Sequence, residues 1–498
     1  MTGNTGTGGD RGIAAAETLD PGDWAADTAL AHRMIDFAAA RLRDVRERPV
    51  WQPMPATVRA RYDTPLPASP QPLAEIFEEM RENLFPYAMG NIHPRFWAWY
   101  MGSGDFTGAL ADFLAAIDGS NLGGGDTAAN LADQQVTRWL IEMTGFPEGA
   151  SAALVSGGSM ANIVGLTAAR NAMAGVDLHQ DGVAAIKAPL CFYASDQVHN
   201  CHMKAMNLLG LGGKALRRVP SDELLRMDMH ALRQAVAEDR AKGLRPACVI
   251  ATAGTTNSGA IDPLPAIADL CRAEGLWMHV DGCIGALIAI DPDHRHLVAG
   301  MERADSLALD LHKWLHAPFD VGCAVLRDRA AHRGTFAEQA EYLNPAARGV
   351  AAGEFLCDFT PETTRGFRAL KVWMMLKHHG AGKFGRLIGQ NIEQARHLAS
   401  LIEAAPELEL MGTPETSIVC FRHQPGGLTE EALRAHNREL LMRLQESGIA
   451  VPSDTTIRGR YWLRVAICNH RTRNEDLDLL VREVRRIGEE LRREGQPG

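Results

Sequence analysis

The stretch SLALDLHKWLHAPFDVGCAVLRD, Ser306 to Asp328, decides how the rest of the chain is read. An apolar run, SLALD, ends on Asp310, Lys313 follows between His312 and Trp314, and a second apolar run begins at Val321. Short apolar runs of this kind, joined by a brief loop, fit buried strands. A lysine ammonium costs several kcal/mol to take out of water unless it is paired or neutralised. A lysine held between two such strands therefore needs a chemical reason to be there.

Towards the N-terminus the same apolar runs alternate with amphipathic helices. SAALVS (151–156) precedes MANIVGLTAARNAM, LCFYAS (190–195) precedes HNCHMKAMNLLG, and ACVIATAG (247–254) precedes LPAIADLCRAEG; LWMHVD (276–281) then leads to Ser306. Strands alternating with helices predict an α/β fold with a mainly parallel sheet and helices on both of its faces. Ligands of such sheets bind beyond the carboxyl ends of the strands. Here those ends carry Gly157, Gly158 and Ser159 at a helix start, then His199, then Thr256, then Asp281, and last Lys313.

Each of these groups suits pyridoxal 5'-phosphate. A lysine amine forms a Schiff base with an aldehyde, and an apolar setting is expected to lower its pKa towards reactivity. A carboxylate holds a pyridine nitrogen protonated, which makes the ring an electron sink. A Gly/Ser turn at a helix N-terminus offers N–H groups and a hydroxyl to a phosphate, and an imidazole stacks on a ring. Taken singly, each has a plainer use: the Gly-Gly-Ser turn as an N-cap, Asp281 as a turn residue, His199 and His202 as one helix face with no third metal ligand evident. Their conjunction at one sheet edge carries the reading.

The 498 residues are enough for more than one domain; 46% are hydrophobic and 22% charged, as in ordinary globular proteins. A net charge of −10 with interspersed arginines gives no basic stripe for nucleic acid. Nine scattered cysteines without a C-x-x-C pair fit free thiols in a reducing compartment. With neither a secretory start nor a membrane-spanning apolar run, the cytoplasm is the expected location. The expected organisation is a disordered tail (1–20), an N-terminal helical arm and dimerisation segment (21–105), a large domain (106–375) and a small C-terminal α+β domain (376–498).

SGGSMANIVGLTAAR, YASDQVHNCHMKA, ATAGTTNSGAID, LWMHVDGCIGA and ADSLALDLHKWLHAPFDVGCAVL together resemble the group II pyridoxal-phosphate decarboxylases, most of all those acting on aromatic L-amino acids. The likeness runs from about residue 75 to 485 and rests chiefly on the HVD and D-x-HKW segments. It implies a type I transferase-like fold and a homodimer with active sites at the interface. By position it implies Lys313 as the Schiff-base lysine, Asp281 as partner of the ring nitrogen, His199 stacked on the ring, and Gly158 and Ser159 at the phosphate. Thr256, Asp310 and His312 would line the cofactor, Tyr342 would supply a proton from a mobile loop, and no metal is implied. The chain departs from the aromatic enzymes at Met101-Gly102, where they have Pro-Thr, at Gly157, where a serine is usual, and at Asp310, where the animal enzymes have Asn.

The cluster Phe96-Trp97-Ala98-Trp99-Tyr100 stands out in a chain with 6% aromatic residues. In the family it borders the substrate, so Trp99 and Tyr100 are candidate contacts for an aromatic side chain; as plain packing it would simply fill a core. A glutamate-type substrate would need a basic group, for which Arg95 is the one candidate in that stretch. Two other activities compete: an aldehyde-forming decarboxylation with oxidative deamination, and, more distantly, a serine hydrolase using Ser159, whose GGSMA lacks the closing glycine of G-x-S-x-G.

Overall fold

The chain's computed structural model describes residues 17–338 and 346–494. Its larger sheet has seven strands: β2 (Ser151–Val155), β3 (Leu190–Ser195), β4 (Leu216–Val219), β5 (Arg245–Thr252), β6 (Trp277–Asp281), β7 (Ser306–Asp310) and β8 (Gly322–Leu326), after a two-residue β1 (Phe96–Trp97) that lies elsewhere. Their order is β2-β8-β7-β6-β5-β3-β4. β4, β3, β5, β6 and β7 run parallel, and β8 runs opposite to both of its neighbours, β7 and β2. The apolar runs are continuous because both faces are covered: β3, β7 and β8 are buried at every position. Alternate side chains serve opposite layers, Phe192 and Ala194 meeting Leu166 and Met206 while Tyr193 and Val249 share a cluster with Leu232 and Ile267.

A second sheet joins β9 (Leu408–Leu410), β10 (Ile418–His423), β11 (Val451–Ile457) and β12 (Arg460–Ala466) to β1, in the order β1-β11-β12-β10-β9. Helices Glu430–Glu446 and Asn474–Glu494 cover it through Leu440, Leu444, Leu477 and Leu480.

Two elements cross the expected boundaries. The arm assigned to 21–105 does not end apart from the small domain, because Phe96 pairs with Val451 and adds a parallel strand to that domain's sheet. The boundary expected after residue 375 falls inside helix Ala369–His379. That helix ends instead at Gly380, whose φ of 73° suits glycine. The next helix, Ala381–Glu403, gives Phe384, Ile388 and Ile392 to the large core and Leu398 and Ile402 to the small one. Among the described residues, no helix is long and apolar enough to cross a membrane.

Candidate active site

β6 and β7 are in register, with Asp281 opposite Ala308, so Asp281 and Asp310 close their strands at the same edge. A cavity of about 270 Å³ opens just beyond. Gly158 and Ser159 reach it from the start of helix Gly158–Ala174, His199 from the turn before helix Cys201–Leu208, and Thr256 from the loop after β5. Asp281, Asp310, His312 and Lys313 complete its wall. Parallel register thus brings residues spread over more than 150 positions to one space.

Lys313 Nζ lies 3.0 Å from Asp310 Oδ2. Burial disfavours the ammonium, but Asp310, then Cys283 and Asp281, outweigh it and hold the pKa above the usual lysine value. The expectation of a depressed lysine pKa is therefore corrected: the pocket is buried but not apolar, and the acid at the end of β7 keeps the amine charged. Asp310 is one of the chain's departures, so that charge follows from a substitution visible in the sequence.

Asp310 also reaches the helix start. Its Oδ1 accepts the Gly158 N–H, and no side chain caps helix Gly158–Ala174 from its own N-cap position, Gly157. The Gly-Gly-Ser turn is thus not an ordinary N-cap. A Cβ on Gly158 would come within 2.4 Å of Cys283 Sγ and 2.6 Å of Asp310 Oδ2, so only glycine lets the helix end approach this closely. The first N–H groups of a helix have no acceptor in a preceding turn, and the helix dipole favours an anion there.

Asp281 accepts the Cys283 N–H on Oδ1 at 3.2 Å and a hydrogen bond from His202 Nε2 on Oδ2 at 2.8 Å. Burial opposes its charge, but His202, then Cys283 and Lys313, outweigh burial and hold the carboxyl well below the usual carboxylate range. His199 Nδ1 accepts the Cys201 N–H at 3.3 Å, and the contact with Cys201 raises the imidazole pKa despite burial.

Several groups behind this wall escaped the sequence reading. Cys201, His202 and Asp281 bring polar side-chain atoms within 4.8 Å of one another, a group that pairs His202 with Asp281 and leaves His199 out. His279 is fully buried, 2.7 Å from Asn162 Oδ1 through Nε2 and 2.8 Å from Ser306 Oγ through Nδ1. Arg464 of β12 donates to the carbonyls of Thr256 at 2.8 Å and Ala98 at 2.9 Å, tying the small sheet to the cavity wall. One signal was available: His279 and Asp281 are two apart on one strand and so share a face.

The aromatic cluster is mostly committed to packing. Trp97 is fully buried in the small-domain core, its Nε1 donating to Thr472 Oγ1 at 3.3 Å. Tyr100 packs edge-on against Trp314 with 5.5 Å between ring centres and shares a 2.9 Å hydrogen bond with Ser417. Tyr100 therefore sits in the core and not on the cavity wall; Trp99 is 54% exposed and does not line the cavity either. Arg95 donates to the Ile449 carbonyl at 2.7 Å and lies 3.8 Å from Asp476. Tyr342 lies outside the described residues.

The model of the pyridoxal-dependent decarboxylase conserved domain matches residues 55–424. The chain is 32% identical to an aromatic-L-amino-acid decarboxylase of Bacillus atrophaeus, over 93% of this chain and 95% of the relative. It is 28% identical to a phenylacetaldehyde synthase of Petunia hybrida, over 91% and 92% of the two chains. Among solved structures, Oryza sativa TDC crystallised with PLP and tryptamine superposes with a TM-score of 0.88 at 27% identity, covering 95% of this chain and all of that one.

Proposed function

The chain belongs to the pyridoxal-dependent decarboxylase family, and from that premise we propose that it converts an aromatic L-amino acid to the corresponding amine and CO2. The observation that carries this reading is the meeting of Lys313, Asp281 and a helix start whose own N-cap residue, Gly157, offers no side chain, around one cavity. The residues present fit the cofactor: an amine, a buried carboxylate kept ionised, and an anion-ready helix end. Thr252 Oγ1, also on the cavity wall, is buried without a hydrogen-bond partner among the described residues. When bound, pyridoxal phosphate supplies an aldehyde to the lysine and an electron sink for the bond broken at the substrate carbon.

The chain's own groups do the rest. Gly158 and Ser159 would hold the phosphate, Asp281 the ring nitrogen, and His199 would offer its imidazole face to the ring. Lys313 must give up its proton before it can act as a nucleophile, and Asp310 at 3.0 Å is the nearest carboxylate to it. His312, lowered in pKa by burial, is a neutral neighbour on the same wall. Neither Trp99 nor Tyr100 lines the cavity, so no residue of the aromatic cluster is assigned a substrate contact.

Two observations favour an aromatic substrate over an acidic one. The relatives named above include an aromatic-L-amino-acid decarboxylase and a structure holding tryptamine. Arg95, the basic group that an acidic substrate would need, is spent on Ile449 and Asp476. The aldehyde-forming alternative has a named relative in the phenylacetaldehyde synthase. We assign amine formation on the presence of Tyr342 and His199 as proton-supplying groups. The test is a panel of aromatic and acidic L-amino acids scored for CO2, amine and ammonia, with Tyr342→Phe alongside. Amine from an aromatic substrate, and a shift towards aldehyde and ammonia in Tyr342→Phe, is the expected result. Stoichiometric ammonia from the unaltered chain would replace this reading with the aldehyde one.

We place the protein in the cytoplasm as a homodimer. Helix Phe106–Asp118 leaves Phe113, Leu114 and Ile117 exposed, with Leu131 exposed on helix Ala128–Met143, and only Leu30 of helix Trp24–Arg43 is buried. Apolar faces of this size favour a partner surface, and sedimentation at twice the chain mass is the expected behaviour.

A further inference from the structure

Asp281 is held by a second group that the decarboxylase reading does not require. His202 is fully buried in the first turn of helix Cys201–Leu208, and its Nε2 lies 2.8 Å from Asp281 Oδ2. The Cys283 N–H takes Oδ1. An ionised carboxylate has about four lone-pair directions. Two are filled from behind by His202 and Cys283, and Asp281 still lines the cavity with the remainder.

His279, the other histidine behind this wall, does not share the task. Trp277 Nε1 can only donate, and it gives its hydrogen to Ser306 Oγ at 2.8 Å. Asn162 gives its amide hydrogen to the Gly158 carbonyl at 2.9 Å, so its Oδ1 accepts from His279 Nε2. On a neutral His279 ring Nδ1 is then left to accept the Ser306 hydrogen. This chain fixes His279 as a neutral ring supporting the helix start, and burial pushes its pKa down to about 3. His202 is the opposite case. Burial opposes its charge, but the hydrogen bond to Asp281 and the neighbouring Cys201 outweigh it and hold its pKa up at about 10.

We propose that His202 is a positioning residue for the cofactor's ring nitrogen: by donating to Oδ2 it fixes the rotamer of Asp281 and keeps that carboxylate ionised, with its free lone pairs facing the cavity. Without the donor, Asp281 keeps one backbone N–H in a buried setting, and burial favours its protonated form. A protonated Asp281 no longer favours a charged ring nitrogen. This inference rests on the reading of Asp281 as partner of that nitrogen, and the test separates the two.

The probe is a pair of ligands, pyridoxal 5'-phosphate and its 1-deaza analogue, which carries C–H in place of the ring nitrogen. Each is titrated into cofactor-free chain, with binding read from quenching of tryptophan fluorescence. The unaltered chain is expected to prefer pyridoxal phosphate. His202→Leu and His202→Asn, which remove the donor or its reach, should shrink that preference by about ten- to hundredfold, as loss of a hydrogen bond to a charged group does. His202→Gln, which restores an amide donor on a longer stem, should recover it to within about threefold. A merely structural histidine would weaken both ligands alike. An unchanged preference in His202→Leu and His202→Asn overturns the proposal, and so does a His202→Gln no better than His202→Leu. Asp281→Asn is the control: if it leaves the preference intact, the reading of Asp281 itself fails and this inference goes with it. Should one variant fail to fold, the other donor-less variant decides.

Discussion

Gly102→Ala tests whether the N-terminal segment sets the position of Lys313. Gly102 belongs to one of the chain's departures from its aromatic relatives, and its backbone lies directly on the lysine loop. An alanine Cβ would sit 1.6 Å from the His312 carbonyl oxygen, 2.7 Å from its carbon and 3.2 Å from the Lys313 oxygen. Real Cβ contacts do not fall below 3.0 Å, so the two segments must part. Both sides of the contact are backbone, and no side chain can rotate away to relieve it. Gly102 is itself tied down by Asn91, which donates to its carbonyl at 3.0 Å. The lysine loop therefore has to give way. Overpacking of this kind costs about 1–3 kcal/mol of stability. Displacing a reacting group by roughly 1 Å costs about a hundredfold in rate. The expected variant thus melts a few degrees lower but loses about two orders of magnitude in turnover, a disproportion that identifies a misplaced lysine over a weakened fold. The assay compares decarboxylation rate, cofactor absorbance and thermal melting with Gly149→Ala, whose Cβ would meet nothing within 4 Å. Turnover and melting equal to the unaltered chain would refute the contact and the coupling drawn from it.

Three further outcomes follow from other parts of the molecule. Lys313→Ala is expected to abolish turnover and the visible absorbance of the bound cofactor while leaving the far-ultraviolet dichroism unchanged; retained activity would end the decarboxylase reading of this site. Arg464→Met leaves the Thr256 and Ala98 carbonyls without their guanidinium donor, at about 1–3 kcal/mol for each acceptor left unpaired, so melting should fall clearly, and an unchanged melting temperature would show that the tie between sheets carries no weight. Burial pushes His93, His332 and His423 down to about 4 and His279 to about 3. Below about pH 6.5 the unfolded chain binds protons that these folded sites refuse, so stability is expected to fall as pH drops towards 4, by up to about 1.4 kcal/mol per pH unit for each site. His470, also held down to about 4 by burial, adds to these. Asp262, raised to about 7, and the raised acids Asp112, Asp133, Asp305 and Glu415 work the other way. Melting temperatures that stay level from pH 6.5 to 5 would contradict this.

What the sequence made legible follows from what periodicity and strand ends report. The runs around 151–155, 190–195, 245–252, 277–281, 306–310 and 322–326 are strands because both faces of the sheet are covered and every position must be apolar. Strands that leave residues exposed obey no such rule. β4 is LRRV, and β11, VPSDTTI, has polar residues at four of its seven positions, so neither carries the signal of a buried strand. β1 has only two residues, and nothing local distinguishes FW in a small-domain sheet from FW in a substrate wall. Its destination is set by pairing with Val451, more than 350 residues away, and that pairing is also why Trp97 became core.

The site shows the same division between chain order and spatial partnership. Residues at strand ends converge because parallel strands end at one edge, and that rule needs only the order of elements. Partners acting from behind need the third dimension. His202 reads as a helical neighbour of His199, three residues on, yet the residue that gives it meaning is Asp281, on β6, reached because helix Cys201–Leu208 lies against the sheet. The lysine makes the point through the sign of a pKa. Burial could be inferred from the two apolar runs, and burial alone would depress the ammonium. The acid that reverses the sign stands only three residues before it, but whether its carboxylate turned towards the lysine or away depended on Gly158. Having no Cβ, Gly158 lets Asp310 enter between the helix start and the amine and serve both. Aspartate at that position thus gives the chain a negative charge between the helix start at Gly158 and Lys313 that an asparagine would not supply. Asp310→Asn should therefore lower the pH at which Lys313 becomes reactive. A free-amine titration of the cofactor-free chain that is unchanged by the substitution would show that Asp281 suffices to hold the lysine charged.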